Sequence, residues 1–198
     1  LSDIPSFIGK TRREQIITAA IEVLEEIGYI HISLAKIAKK AKISTGLISY
    51  HFSGKEDVMN QTLYYLIQKE WQFINEKVQE KKAPLDRLYM FIEASLLYQK
   101  THRTNQIALI EIIFHARSED HIPYYLIEGN EEDDLLRQLL KAILLQGQES
   151  KVFASFHIDA VTTIIQGAIS EYMFSTETKL DADRYASELK YLVHKMIT

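Results

Sequence analysis

The chain has 198 residues, no cysteine, 46% hydrophobic residues and only seven glycines and three prolines. The absence of cysteine excludes disulfides, thiolate metal sites and cysteine nucleophiles, and it fits a reducing compartment. The formal net charge of −4 conceals a division: residues 1–55 hold eight basic and five acidic side chains (+3), the remainder 15 and 22 (−7). A basic end on an acidic body suits a protein that presents one end to an anionic polymer. No apolar run approaches the roughly 18 residues of a membrane span. No leader pattern precedes the first helix either, so no membrane association and a cytoplasmic location are expected.

Apolar residues recur at helical spacing along most of the chain, and no period-two strand pattern appears, which predicts an all-α fold. Thr11-Arg12-Arg13-Glu14 reads as a capping box, followed by Ile16, Ile17, Ala20, Ile21, Val23, Leu24 and Ile27, with Gly28 as the stop. Ser33 can cap a second helix whose Leu34, Ile37, Ala38 and Ala41 form one apolar face, with Lys36, Lys39, Lys40 and Lys42 on or beside the other. Ser44 can cap a third, in which Leu47 and Ile48 point inward beneath Thr45, Ser49, Tyr50 and His51. Those outward residues are short or planar hydrogen-bonding groups, suited to base edges and phosphates. Phe52 closes the unit, and Ser53-Gly54-Lys55-Glu56 reads as the capping box of a long fourth helix running to about Lys81.

Further helices are expected from Asp86 to about Lys100, Asn105 to Arg117, Glu131 to Leu145 (stopping at Gly147), Ile158 to Thr176 and Ala182 to Met196. Ser118 to Pro123 breaks the pattern, and Tyr124 to Gly129 is ambiguous. The domain boundary is placed within the fourth helix: a helix-turn-helix head at 10–70 (motif 33–52) and a helical body at 71–198. The last two helices carry the marks of a dimer interface. Gly167 and Ala168 permit close helix approach, while Ile164, Ile169, Leu189, Leu192 and Met196 supply apolar area.

The combination of Gly28-Tyr29, Ile37-Ala38-Lys39-Lys40-Ala41, Ser44-Thr45-Gly46, Tyr50-His51-Phe52, Lys55-Glu56 and Val58 resembles the TetR family of transcriptional regulators. The resemblance is carried by the first sixty or so residues. It departs at Lys42, where the family usually has a glycine in the turn, a position that tolerates positive φ without Cβ strain. The resemblance implies an N-terminal three-helix DNA-binding head and a C-terminal body for ligand binding and dimerisation. It implies that Thr45, Gly46, Leu47, Ser49, Tyr50 and His51 face the major groove, on a helix capped by Ser44. Of these, Tyr50 and His51 are expected to grip phosphates, positioning rather than specifying, and Lys10, Arg12, Ser33 and Lys55 are further expected phosphate contacts. The implied function is a repressor that binds a palindromic operator as a homodimer and is released by an unidentified small-molecule effector. No cofactor or metal is implied.

The effector pocket is expected among aromatic and acidic residues of the body: Trp71, Tyr89, Glu93, Glu111, Phe114, His115 and Tyr172. Glu111 stands out because it is embedded in Ile107-Ala108-Leu109-Ile110-Glu111-Ile112-Ile113-Phe114, where a carboxylate is costly unless paired or solvent-facing. It can belong to an acidic aromatic pocket for a lipophilic cation, or, the commoner case, it can lie at the helix surface or be salt-bridged to an arginine such as Arg103 or Arg117. Two alternatives stand beside the repressor: a helical enzyme with a carboxylate/His site, and a DNA-binding activator without a ligand. Against an enzyme, there is no paired Glu-x-x-His motif, no phosphate-binding glycine loop and no Gly-x-Ser-x-Gly.

Overall fold

The structure is a computed structural model that describes residues 7–118, 120–126, 134–174 and 181–198, with the backbone alone at 7–10. Among these residues the chain forms nine helices. They are α1 (Phe7–His31), α2 (Leu34–Ala41), α3 (Thr45–His51), α4 (Lys55–Gln79), α5 (Pro84–Thr101), α6 (Arg103–His115), α7 (Leu135–Glu149), α8 (Ile158–Phe174) and α9 (Ala182–Ile197). A 3-10 turn at Tyr124–Leu126 and a single bridge between Arg117 and Pro123 complete the regular structure.

The chain divides into two compact units. The first comprises residues 1–68 and 103–127, the second 69–102 and 128–198. The division falls within α4, between residues 68 and 69. The first unit differs from expectation in also containing α6 and the turn after it. The reason is apolar area: Ala108 and Ile112 of α6 are completely buried in the cluster formed by Ile16, Ala20 and Leu24 of α1, Ile37 of α2 and Ile48 of α3. Those α1 residues recur every four positions and so make one stripe. Each large aliphatic side chain buried this way contributes about 1.5–3 kcal/mol. In the second unit Leu88, Phe91, Ile92 and Leu96 of α5 pack with Leu140, Ile143 and Leu144 of α7, Ile165 of α8 and Val193 and Ile197 of α9.

Three helix ends differ from the sequence reading. Thr11 lies inside α1, which starts at Phe7, and not at its first turn. At α4 the partner of Ser53 is Asp57 rather than Glu56: the Asp57 carboxylate accepts from the Ser53 N–H at 2.9 Å and from its hydroxyl at 3.2 Å. Because α4 starts at Lys55, Asp57 is its third residue, the position from which a side chain reaches back. Gly147 is not a stop, since α7 continues to Glu149. A Cβ there would lie 1.9 Å from the Phe153 ring, so glycine is required for packing. The expected helix start at Glu131, the end at Thr176 and the ambiguous segment at Gly129 lie outside the described residues.

Candidate nucleic-acid interface

The interface is built on α2, the turn after it, and α3. Ser33 has extended backbone and its hydroxyl accepts from the Lys36 N–H at 3.4 Å; Ser44 does the same for Leu47 at 3.2 Å. Both caps fall where the sequence places them. The turn holds Lys42 at φ 56°, ψ 43°, the left-handed region that glycine favours. Lysine therefore keeps the geometry expected of a glycine. The strain is offset by paired backbone: Ile43 N–H donates to Ala38 O at 3.0 Å, and Gln15 Nε2 donates to Ala41 O at 2.8 Å.

Helix α3 buries only Ile48 completely. Leu47 is half-buried, partway between the core and the outer face. Thr45, Gly46, Ser49 and Tyr50 are exposed, Tyr50 to 82%. His51 is half-buried and meets Tyr50 edge-on at 5.0 Å. A Cβ at Gly46 would touch nothing nearer than the Ser44 hydroxyl at 3.9 Å. The fold itself thus places no demand for glycine there.

The cationic residues separate by what they touch. Lys40 pairs with Glu22 at 3.2 Å and Glu26 at 2.5 Å on α1, which ties α2 down and neutralises the lysine. Arg12 donates to Gln15 Oε1 at 2.6 Å. Lys55 donates to the Tyr29 carbonyl at 3.1 Å and lies 4.6 Å over the Tyr29 ring, so its amine turns toward Tyr29 rather than standing free for phosphate. Desolvation there pushes the Lys55 pKa below its ordinary value. The side chain of Lys10 lies outside the described residues.

Sequence reading missed Arg13 and Gln15. Arg13 donates to His51 O at 2.7 Å and covers the Phe52 ring at 4.5 Å, while Gln15 holds Ala41. Both belong to α1 and fasten the two ends of the helix-turn-helix to it. No local pattern announces such pairs, because the partners are 38 and 26 residues away.

The residues expected to line one effector pocket divide between the units. Glu111, Phe114 and His115 belong to the first; Trp71, Tyr89, Glu93 and Tyr172 belong to the second. Glu111 is not a free pocket anion: its carboxylate accepts from the Tyr29 N–H at 2.7 Å, and His115 Nδ1 lies 3.5 Å away. Its partner is thus a backbone N–H rather than Arg103 or Arg117. Glu93 is neutralised by an ion pair with Lys190, whose amine also lies 5.7 Å from the Tyr89 ring centre. Tyr172 packs against Tyr185 at 4.7 Å, and Phe114, 44% exposed, packs against Tyr125. A cleft of about 740 Å³ in the first unit is lined by polar groups including Tyr29, Asn60, His115, Arg117 and Tyr124, unlike the aromatic pocket expected of the body.

On the proposed dimer helices, Ile164, Leu192 and Met196 are exposed to 53%, 59% and 38%. Gly167 is exposed, with nothing within 4 Å of a built Cβ, and Ala168 is half-buried. Ile169 and Leu189 are buried in the second unit's own core, so they cannot supply the expected area to a partner. Tyr191 of α9 and Phe174 of α8 are also exposed, to 59% and 49%.

A capped helix-turn-helix with an exposed polar outer row defines this as a DNA-binding protein of the helix-turn-helix class. The model described as "Bacterial regulatory proteins, tetR family" matches residues 16–62, which cover α2, α3 and parts of α1 and α4. Residues 16–62 thus match the DNA-binding domain of the tetR family of bacterial regulators. It is 38% identical over 77 residues to the HTH-type transcriptional regulator HbdR of Aromatoleum sp. (strain CIB), a match covering 39% of this chain and 34% of that protein. It is 29% identical over 91 residues to the HTH-type transcriptional regulator BetI of Paraburkholderia phytofirmans, covering 46% of this chain and 47% of that one. The match thus spans between a third and a half of these relatives' lengths.

The fold agrees over nearly the whole chain with solved regulators at low identity. The fatty acid degradation regulator FadR of Bacillus halodurans superposes with a TM-score of 0.74 at 19% identity, covering 91% of this chain and 96% of that one. FadR of Bacillus subtilis, in complex with stearoyl-CoA, gives 0.71 at 22% identity over the same shares. These relatives are regulators, and the family is one of DNA-binding regulators rather than enzymes. Among the described residues, no helix is long and apolar enough to cross a membrane.

Proposed function

We propose that the protein is a cytoplasmic, ligand-responsive repressor that binds a palindromic operator as a homodimer and leaves it when a small molecule binds the second unit. The observation that carries this reading is the outer row of α3. Thr45, Gly46, Ser49 and Tyr50 are exposed together on a seven-residue helix anchored by Ile48. Gly46 sits in open space, where a glycine serves close approach of another molecule rather than the fold. One such helix reads few bases, so two are needed, placed about 34–36 Å apart or a multiple of it on the two-fold axis of the operator.

The exposed Ile164, Leu192 and Met196, with Gly167 and Ala168 between them, support a pairing of α8 and α9 across that axis. For the effector, the commitments of Glu93 to Lys190 and of Glu111 to Tyr29 weigh against a lipophilic cation. An effector with a long apolar moiety fits better, in keeping with the stearoyl-CoA complex of the Bacillus subtilis regulator. Release requires the effector to bind the DNA-incompetent conformation more tightly, with a coupling of about 1–3 kcal/mol.

Binding to duplex DNA, followed by fluorescence anisotropy, tests this reading through Thr45→Ala combined with Tyr50→Ala. Both side chains are exposed and uncharged, so folding and salt-dependent non-specific binding persist while sequence-specific binding is lost. Unchanged sequence preference in the double variant would refute the assignment. The ligand arm is tested by thermal shift: an effector raises the melting temperature by mass action and releases operator DNA in the same titration.

A further inference from the structure

We propose that Glu111 is a positioning residue for DNA binding: from α6 it holds the Gly28–Tyr29 corner of α1, and through that corner it keeps the helix-turn-helix in its DNA-reading register. The inference rests on the DNA-binding reading above and names a residue that controls it.

Gly28, with φ 72° and ψ 169°, interrupts α1. Only glycine adopts that backbone freely. The N–H beside the break, that of Tyr29, is taken by the Glu111 carboxylate at 2.7 Å. A charge-assisted bond of this kind is about twice as strong as a neutral one. The fit is close on the other side as well, since a Cβ on Gly28 would lie 3.0 Å from Glu111 Oε2. His115, one turn further along α6, stacks on the Tyr29 ring at 6.2 Å with 13° between the planes.

Tyr29 is also where both chain connections to α2 and α3 are tied. On the entering side, Tyr29 precedes Ser33, the cap of α2, by four residues, and Lys36 returns to the His31 carbonyl at 2.8 Å. On the leaving side, Lys55, the first residue of α4, bonds the Tyr29 carbonyl and covers its ring. A movement of Glu111 therefore acts on the entry and the exit of the motif together. Helix α6 follows α5 across the single residue His102, so the carboxylate sits on the first helix that the chain returns to this unit from the second.

The test compares wild type, Glu111→Ala and Glu111→Gln in binding to a selected operator duplex and to a random duplex of equal length. It is run at a temperature where circular dichroism shows all three folded. Glu111→Ala is expected to lose about tenfold in operator affinity, the scale of one hydrogen bond to a charged group, with random-duplex affinity unchanged. Glu111→Gln keeps an acceptor for the Tyr29 N–H and recovers most of the loss. Unchanged operator affinity in Glu111→Ala would overturn the proposal, as would an equal loss on both duplexes, which is what general damage to the fold produces. Wild type that fails to prefer any operator would instead defeat the DNA-binding reading, and this proposal with it.

Discussion

Arg13 on α1 donates a hydrogen bond to the carbonyl of His51, the last residue of α3, at 2.7 Å, while its guanidinium covers the neighbouring Phe52 ring at 4.5 Å. It thus satisfies a carbonyl at the C-terminus of α3 that the helix itself leaves open. Arg13→Met keeps the aliphatic stem and removes both interactions. The variant is expected to lose about 1–3 kcal/mol of stability, seen as a lower urea midpoint at an unchanged slope. A midpoint equal to wild type would show that the contact is idle in solution.

What could be read from the sequence follows from how local each signal is. Ser33 and Ser44 lie at the ends of short apolar stripes, and both caps form. Lys42 stands where a turn needs positive φ, and the backbone adopts it. Glu111 announced that it needed a partner by standing in an apolar run, but the partner, 82 residues away, is a backbone N–H with no sequence signature. A separation of 38 residues likewise hid Arg13 from His51. Ile169 and Leu189 look like Ile164 and Leu192 in a helical pattern, and only packing decides which pair turns inward.

Gly147 offers a packing test. A methyl group there meets the Phe153 ring at 1.9 Å, and the ring is itself buried against α7. Gly147→Ala is expected to destabilise the second unit by about 1–3 kcal/mol through overpacking, against the small gain alanine brings in an unhindered helix. Pairing it with Phe153→Leu should recover part of the loss. A thermal melt in which Gly147→Ala equals or exceeds wild type would contradict this packing.

Acid titration addresses Asp159. A hydrogen bond from Lys141, 2.7 Å away, is the largest of the influences that hold its carboxyl below the ordinary 3.8, with help from His157 and Arg137. A carboxylate depressed in the folded state stabilises fully above the unfolded value and loses that stabilisation as pH falls through the folded one. The Asp159 contribution is therefore complete above about pH 5 and fades below the ordinary carboxylate range. Carbon-detected NMR of the carboxyl should show the low titration in wild type and a rise toward the ordinary value in Lys141→Met. No rise would mean that Lys141 does not hold the charge.

Association can be separated from folding at Ile164. Its side chain is 53% exposed, so Ile164→Glu disturbs little inside the second unit. In a dimer joined through α8 and α9 it would place two carboxylates near the two-fold axis, and sedimentation should report a monomer with an unaltered helical spectrum. A dimer of undiminished affinity would move the interface elsewhere.

Selection of binding sites for the purified protein from a random duplex pool asks whether this chain reads operator DNA as a two-fold dimer. An enriched palindrome is expected, with half-site centres about 10–10.5 base pairs apart or a multiple of it. Its half-sites should lose definition when Thr45 and Tyr50 are both replaced by alanine. A pool that emerges without a palindrome, or one enriched identically by wild type and the double variant, would contradict it.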